Sequence, residues 1–169
     1  PGRYTGSPRF STLRAFCKRA ATPSVRSNMN ILVTGAAGFI GFHVASRLLE
    51  RGDSVVGLDV VNDYYSVKLK RDRISRLQEQ HGSAFRFVET DFADEAALSR
   101  GVDALDFGRI VHLGAQAGVR YSVQKPRAYV RANLAGHLNL LELARHRLSS
   151  HLVYASSSSV YGGKDTLAF

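Results

Sequence analysis

The sequence predicts an α/β fold with a doubly wound parallel sheet, and three observations carry that expectation. Short apolar runs alternate with amphipathic stretches along the chain, which is the pattern of repeated strand–helix–strand units. The first run passes directly into glycines at 35, 38 and 41, and the second run ends in an acid, Asp59. The last run opens into consecutive serines at 156–159.

Ile31, Leu32 and Val33 read as a strand buried on both faces. Gly35 permits the tight turn out of it, Gly38 lets backbone approach a pyrophosphate, and Gly41 lets the next helix pack on the sheet. Phe39 and Ile40 open that helix, so a phosphate would meet its positive N-terminus. Ile40, Val44 and Leu48 share one helical face, and Gly52 stops the helix. The second strand, 54–58, leads to Asp59, which lies 18 positions beyond Gly41. A carboxylate there accepts hydrogen bonds from the adenosine ribose hydroxyls and repels a 2′-phosphate, so NAD is expected over NADP. The spacing Gly-x-x-Gly-x-x-Gly is a weak signal alone; its strand, helix and acid give it the Rossmann-type reading.

A charged helix is expected over about 65–80, ending near Gly82, and a third strand over 84–88 with Phe85 and Phe87 on one face. Asp91 and Phe92 follow it, either meeting an adenine by hydrogen bond and ring packing or serving as a helix-capping acid beside a core aromatic. Asp94 caps a short helix through 100. The fourth strand, 109–113, runs into Leu113, Gly114 and Ala115, small enough for the chain to pass a cofactor. Pro126 starts a long helix to about 146, and 151–156 forms the fifth strand. The serines after it send hydroxyls out of the carboxyl end, where open α/β sheets bind ligands, although serines after a strand also read as a plain loop. The expected sheet order is 3-2-1-4-5.

The 169 residues carry a formal charge of +9, but residues 1–28 hold six basic residues and no acid. The domain proper is therefore near neutrality, and no nucleic-acid partner is expected. Residues 1–28 read as a basic extension, disordered or non-native: translated upstream sequence ahead of Met29, a targeting peptide, or a functional arm. Residues 29–169 form the cofactor domain. Cys17 is the only cysteine and the six histidines are scattered, so no metal site is expected. No apolar run reaches membrane-spanning length, and a cytoplasmic location is expected.

The chain resembles the extended short-chain dehydrogenase/reductases, specifically their nucleotide-sugar epimerases. The residues that carry the resemblance are the glycine motif, Asp59, Asn62-Asp-Tyr-Tyr65 with Leu69-Lys70, Ala115-Gln-Ala-Gly-Val-Arg-Tyr-Ser122, Asn133 and Ser156-Ser-Ser-Ser-Val-Tyr-Gly162. It covers Met29 onward. It implies an isomerase that holds NAD tightly and inverts C4 of a UDP-sugar by transient oxidation. On that reading Ser157 orients the reacting hydroxyl, Ser158 and Ser159 bind a sugar carboxylate, Gln116 and Arg120 lie on the substrate side, and Asn133 lies on the cofactor side. Dehydratases of the same family place Asp and Glu where Ser158 and Ser159 stand, so an epimerase is expected.

The family's Tyr-x-x-x-Lys pair would fall beyond Phe169, and Tyr64…Lys68 and Tyr121…Lys125 match only its spacing. Val60, Gly114, Lys164 and Ala168 also depart from the family pattern. The expectation is an NAD-binding portion without the sugar-binding lobe, inactive alone, from a parent that forms a homodimer. A UDP-galactose epimerase, a dehydratase or a non-catalytic NAD sensor is the alternative.

Overall fold

The computed structural model describes residues 28–157, 160 and 162. Five parallel strands, β1 (Asn30–Thr34), β2 (Ser54–Asp59), β3 (Phe85–Glu89), β4 (Arg109–His112) and β5 (His151–Tyr154), pair in the order β3-β2-β1-β4-β5. Both the parallel sheet and its order match the sequence expectation. The crossover segments are α1 (Phe39–Arg51), α2 (Val67–His81), α3 (Glu95–Val102), α4 (Val119–Gln124), α5 (Pro126–Tyr129) and α6 (Gly136–His146). Residues 1–27, which include nearly all of the basic extension, lie outside the described residues.

Alternation along the central strands divides the core between the two faces of the sheet. Ile31, Val33 and Val55 face α1 and α2, where Ala45, Leu49, Ile74 and Leu77 cover them. Leu32, Val56, Leu58 and Ile110 face the other way, against Leu98, Val102 and Leu140. Leu140, fully buried, is the chief apolar anchor of α6. Truncation to alanine there is expected to cost about 2–5 kcal/mol.

Two elements differ from the sequence reading. The face of α1 carrying Ile40, Val44 and Leu48 is not the buried one: Gly41, Ala45 and Leu49 pack on the sheet, and Ile40 is 61% exposed. A helix that lies close over a parallel sheet needs small residues at the contact, so its apolar stripe and its buried stripe separate. The expected long helix from Pro126 is also interrupted. A π-helical stretch, Val130–Ala135, joins α5 to α6, and such wide turns often accompany functional positions.

Candidate functional site

The carboxyl ends of β1, β2 and β4 converge on one glycine-lined edge. Gly35 takes the left-handed conformation (φ +71°), and its N–H donates to Leu58 O at 2.8 Å, tying the turn to β2. A Cβ at Gly35 would lie 2.8 Å from Gly114 N, and one at Gly41 would overlap the Gly35 carbonyl oxygen. The two glycines thus set how near β4 and α1 approach the turn. Gly38 caps α1 with no side-chain hydrogen bond, and no acid stands in the first turn of α1. The leading N–H groups of a helix lack helical acceptors, so this end of α1 offers donors and a positive dipole to an anion.

Asp59 stands beside that helix end. Its Oδ2 accepts from Ala37 N (3.2 Å) and its Oδ1 from Val61 N (2.9 Å). A carboxylate oxygen has room for two hydrogen bonds, so each retains one place for a ligand hydroxyl. Lys70 supplies the balancing charge: its Nζ lies 3.9 Å from Asp59 Oδ1, with both side chains nearly excluded from solvent. The same ammonium donates to Asn62 O (3.0 Å) and Asn62 Oδ1 (2.8 Å), fixing the loop in which Val61 adopts φ +47°. Arg73 donates to Ala37 O at 3.1 Å, bracing the glycine turn from α2.

Thr34 joins the ends of β1 and β4. Its hydroxyl oxygen accepts from Leu113 N (3.2 Å) and Gly114 N (3.1 Å) and lies 2.7 Å from His112 Nδ1. Burial pushes the His112 imidazole down to about 4, and the neighbouring His137 adds to the effect. His112 is therefore neutral at ordinary pH. Its ring stacks on His137 (5.2 Å) and meets Phe92 edge-on (5.4 Å).

The remaining sequence-derived positions play different parts. Asp91 Oδ2 accepts from Arg131 (2.6 Å) and its Oδ1 accepts from Ala93 N. Phe92 is a core side chain, 8% exposed, whose ring fills the space left by Gly114 and Gly136. Asn133, inside the π-helical stretch, grips the Gln116 backbone both ways, accepting from Gln116 N (2.8 Å) and donating to Gln116 O (3.0 Å). Ala115 follows Gly114 on the same loop, and Arg120 is exposed on α4. Ser157 is exposed just past β5, whereas Ser158 and Ser159 lie outside the described residues. Sequence reasoning gave no role to Thr34, Lys70, Arg73 or Arg131. Lys70 and Thr34 fall inside the quoted motifs, but nothing in the spacing marks their partners.

A helix end without a side-chain cap, beside a carboxylate with acceptor places left, suits a ligand that carries phosphate next to vicinal hydroxyls. Among the described residues no group of His, Cys, Asp and Glu is arranged to hold a metal ion, and no helix is long and apolar enough to cross a membrane.

Comparison with known proteins gives the chain's relatives. The family profile for GDP-mannose 4,6 dehydratase matches residues 32–169. A probable UDP-glucuronate 4-epimerase of Rhizobium meliloti is 49% identical over 141 residues, covering 83% of this chain and 41% of the relative. UDP-glucuronate 4-epimerase 2 of Arabidopsis thaliana is 44% identical over 146 residues, 86% of this chain and 33% of its own length. Among solved structures, UDP-glucose 4-epimerase from Bifidobacterium longum in complex with NAD+ and UDP superposes with a TM-score of 0.71 at 29% identity, over 83% of this chain and 41% of that one. The chain thus spans roughly two fifths or less of the length of these proteins.

Proposed function

Because the chain belongs to the GDP-mannose 4,6-dehydratase family of nucleotide-sugar epimerases and dehydratases, we propose that it is the NAD-binding portion of a UDP-glucuronate 4-epimerase. The parent protein would interconvert UDP-glucuronate and UDP-galacturonate. The observation that carries the reading is the uncapped N-terminus of α1 facing Asp59 across the glycine turn. The sugar assignment is supported by relatives bearing that name at 44–49% identity. It is also supported by Ser158 and Ser159 at the positions where the dehydratases resemble one another in carrying Asp and Glu.

Bound NAD supplies a reversible two-electron acceptor for the sugar C4 carbon. The chain's own residues hold and orient. The backbone of Gly38, Phe39, Ile40 and Gly41 receives the pyrophosphate, and Asp59 accepts the adenosine ribose hydroxyls through its two remaining places. Asp91, held by Arg131, stands at the adenine end with Phe92 as packing behind it, while Leu113, Gly114 and Ala115 line the path of the cofactor. Asn133 acts on the cofactor indirectly, by fixing the Gln116 backbone. Ser157 orients the 4-hydroxyl, Ser158 and Ser159 donate to the sugar carboxylate, and Gln116 and Arg120 bound the sugar side. The proton acceptor that the resemblance assigns, a tyrosine paired with a lysine on a helix after the fifth strand, has no match at that position among the 169 residues.

Calorimetric titration with NAD and NADP, beside an assay of UDP-glucuronate conversion, tests the assignment. The chain should bind NAD in preference to NADP and show no conversion. Asp59→Asn should weaken NAD by roughly ten- to a hundredfold, the loss of hydrogen bonds to a charged acceptor, and narrow the preference over NADP. Equal affinity for both cofactors would overturn the role of Asp59. Conversion by the chain alone would overturn the placing of the base, and a coding sequence without Tyr-x-x-x-Lys downstream would favour an NAD sensor.

A further inference from the structure

The loop between β2 and α2 carries Asn62-Asp-Tyr-Tyr65, residues to which the cofactor reading gives no task. Its near end is tied to Asp59 through Lys70 and Asn62. Its far end reaches 53 positions along the chain, where the Tyr64 hydroxyl donates to Ala117 O at 2.7 Å. The Tyr129 hydroxyl donates to the same carbonyl (2.7 Å) and also meets Gly118 O. Gly118 has φ +100°, and a Cβ there would collide with the Tyr64 hydroxyl. The glycine therefore turns two successive carbonyls toward the phenols and leaves room for them to arrive. Tyr121 closes the cluster, its ring 4.9 Å from that of Tyr64. Desolvation, with Tyr64 beside it, raises the Tyr129 phenol above its ordinary range, so that phenol remains a donor at neutral pH.

We infer that Tyr64 is a positioning residue that couples occupation of the adenosine end of the cofactor site to the order of the sugar-side loop 115–120. The argument is one of connection. Asp59 and Tyr64 sit at opposite ends of a single short loop pinned at both ends, and a ligand that fixes Asp59 removes freedom from the loop. The hydrogen bond that carries that order from the loop to Ala117 is the one from the Tyr64 hydroxyl. The inference rests on the proposed reading of Asp59 as the NAD ribose acceptor and of Gln116 and Arg120 as the sugar side.

Amide hydrogen exchange over residues 115–121 of the full chain, with and without saturating NAD, tests it beside calorimetric NAD affinity. NAD should slow exchange there by about five- to tenfold in the unaltered chain, the protection expected when a segment that opens locally is held closed. Tyr64→Phe keeps the ring and should leave NAD affinity within about threefold, yet shrink the slowing to less than about twofold. Tyr65→Phe should behave as the unaltered chain. Gly118→Ala attacks the strap from its other end and should also abolish the slowing, which keeps the test open if Tyr64→Phe folds poorly. NAD binding with undiminished slowing in Tyr64→Phe, or in folded Gly118→Ala, overturns the coupling alone. Failure of the unaltered chain to bind NAD overturns the cofactor reading and the coupling with it.

Discussion

The two halves of the sheet are finished to different degrees. On the side of β1, β2 and β3, the strands β1 and β2 are buried on both faces, and side chains of α2 tie the neighbouring backbone and strand: Lys70 to Asn62, Arg73 to Ala37, Arg71 to Glu89. On the side of β4 and β5, the last strand leaves Val153 and Tyr154 half exposed, and Val130, Leu134 and Leu138 form an open apolar stripe from the π-helical stretch into α6. The cofactor half satisfies itself with local turns and short crossovers. The β4–β5 half leaves apolar surface exposed among the described residues. The difference teaches that the glycine-turn half closes its own core, whereas the β4–β5 half leaves apolar side chains open.

The comparison breaks most sharply at the glycine turn. Gly41→Val places a branched side chain on the Gly35 carbonyl, and overpacking there should cost about 3 kcal/mol or more and abolish NAD binding. Urea denaturation and calorimetry would read both, and a folded, NAD-binding variant would refute the claim that this contact organises the half. The next largest effect belongs to His112, at the junction of the halves, faced by Thr34, Phe92 and His137, with Tyr154 beyond. Its folded value near 4 lies below the ordinary 6.5. Its stability contribution is therefore whole above pH about 6.5 and lost as pH falls toward 4, on the order of 3 kcal/mol in all. Asn in its place retains an acceptor without titrating, so His112→Asn should flatten the acid limb of a stability–pH profile. An unchanged limb would place the loss elsewhere. Smallest is Leu134→Gln, on the open stripe, expected to move stability by less than about 0.5 kcal/mol. A shift above 2 kcal/mol would mean that the stripe is already covered.

Much of the cofactor half was legible because its signals are local. A strand, three glycines and an acid lie within 29 residues, and each role depends on backbone conformation that sequence encodes directly. The sheet order followed from alternation and handedness. What escaped was long-range pairing: Arg131 with Asp91, Tyr64 with Ala117, Thr34 with Gly114 are 40, 53 and 80 positions apart. Charge or hydroxyl at one position says nothing of its partner. The face of α1 was a failure of another kind, since hydrophobicity marked Ile40 whereas close helix–sheet approach selected Gly41 and Ala45. The π-helical stretch was invisible because the Asn133 grip on Gln116, which lies within it, is a tertiary contact.

The Thr34 hydroxyl settles where one hydrogen atom of His112 must sit. Its oxygen already receives the N–H groups of Leu113 and Gly114, which occupy both lone pairs, so its own proton can only point to His112 Nδ1. The neutral ring must then carry its hydrogen on Nε2. A single side chain on β1 thus writes the tautomer of an imidazole on β4, a state that nitrogen chemical shifts would report without any ligand present.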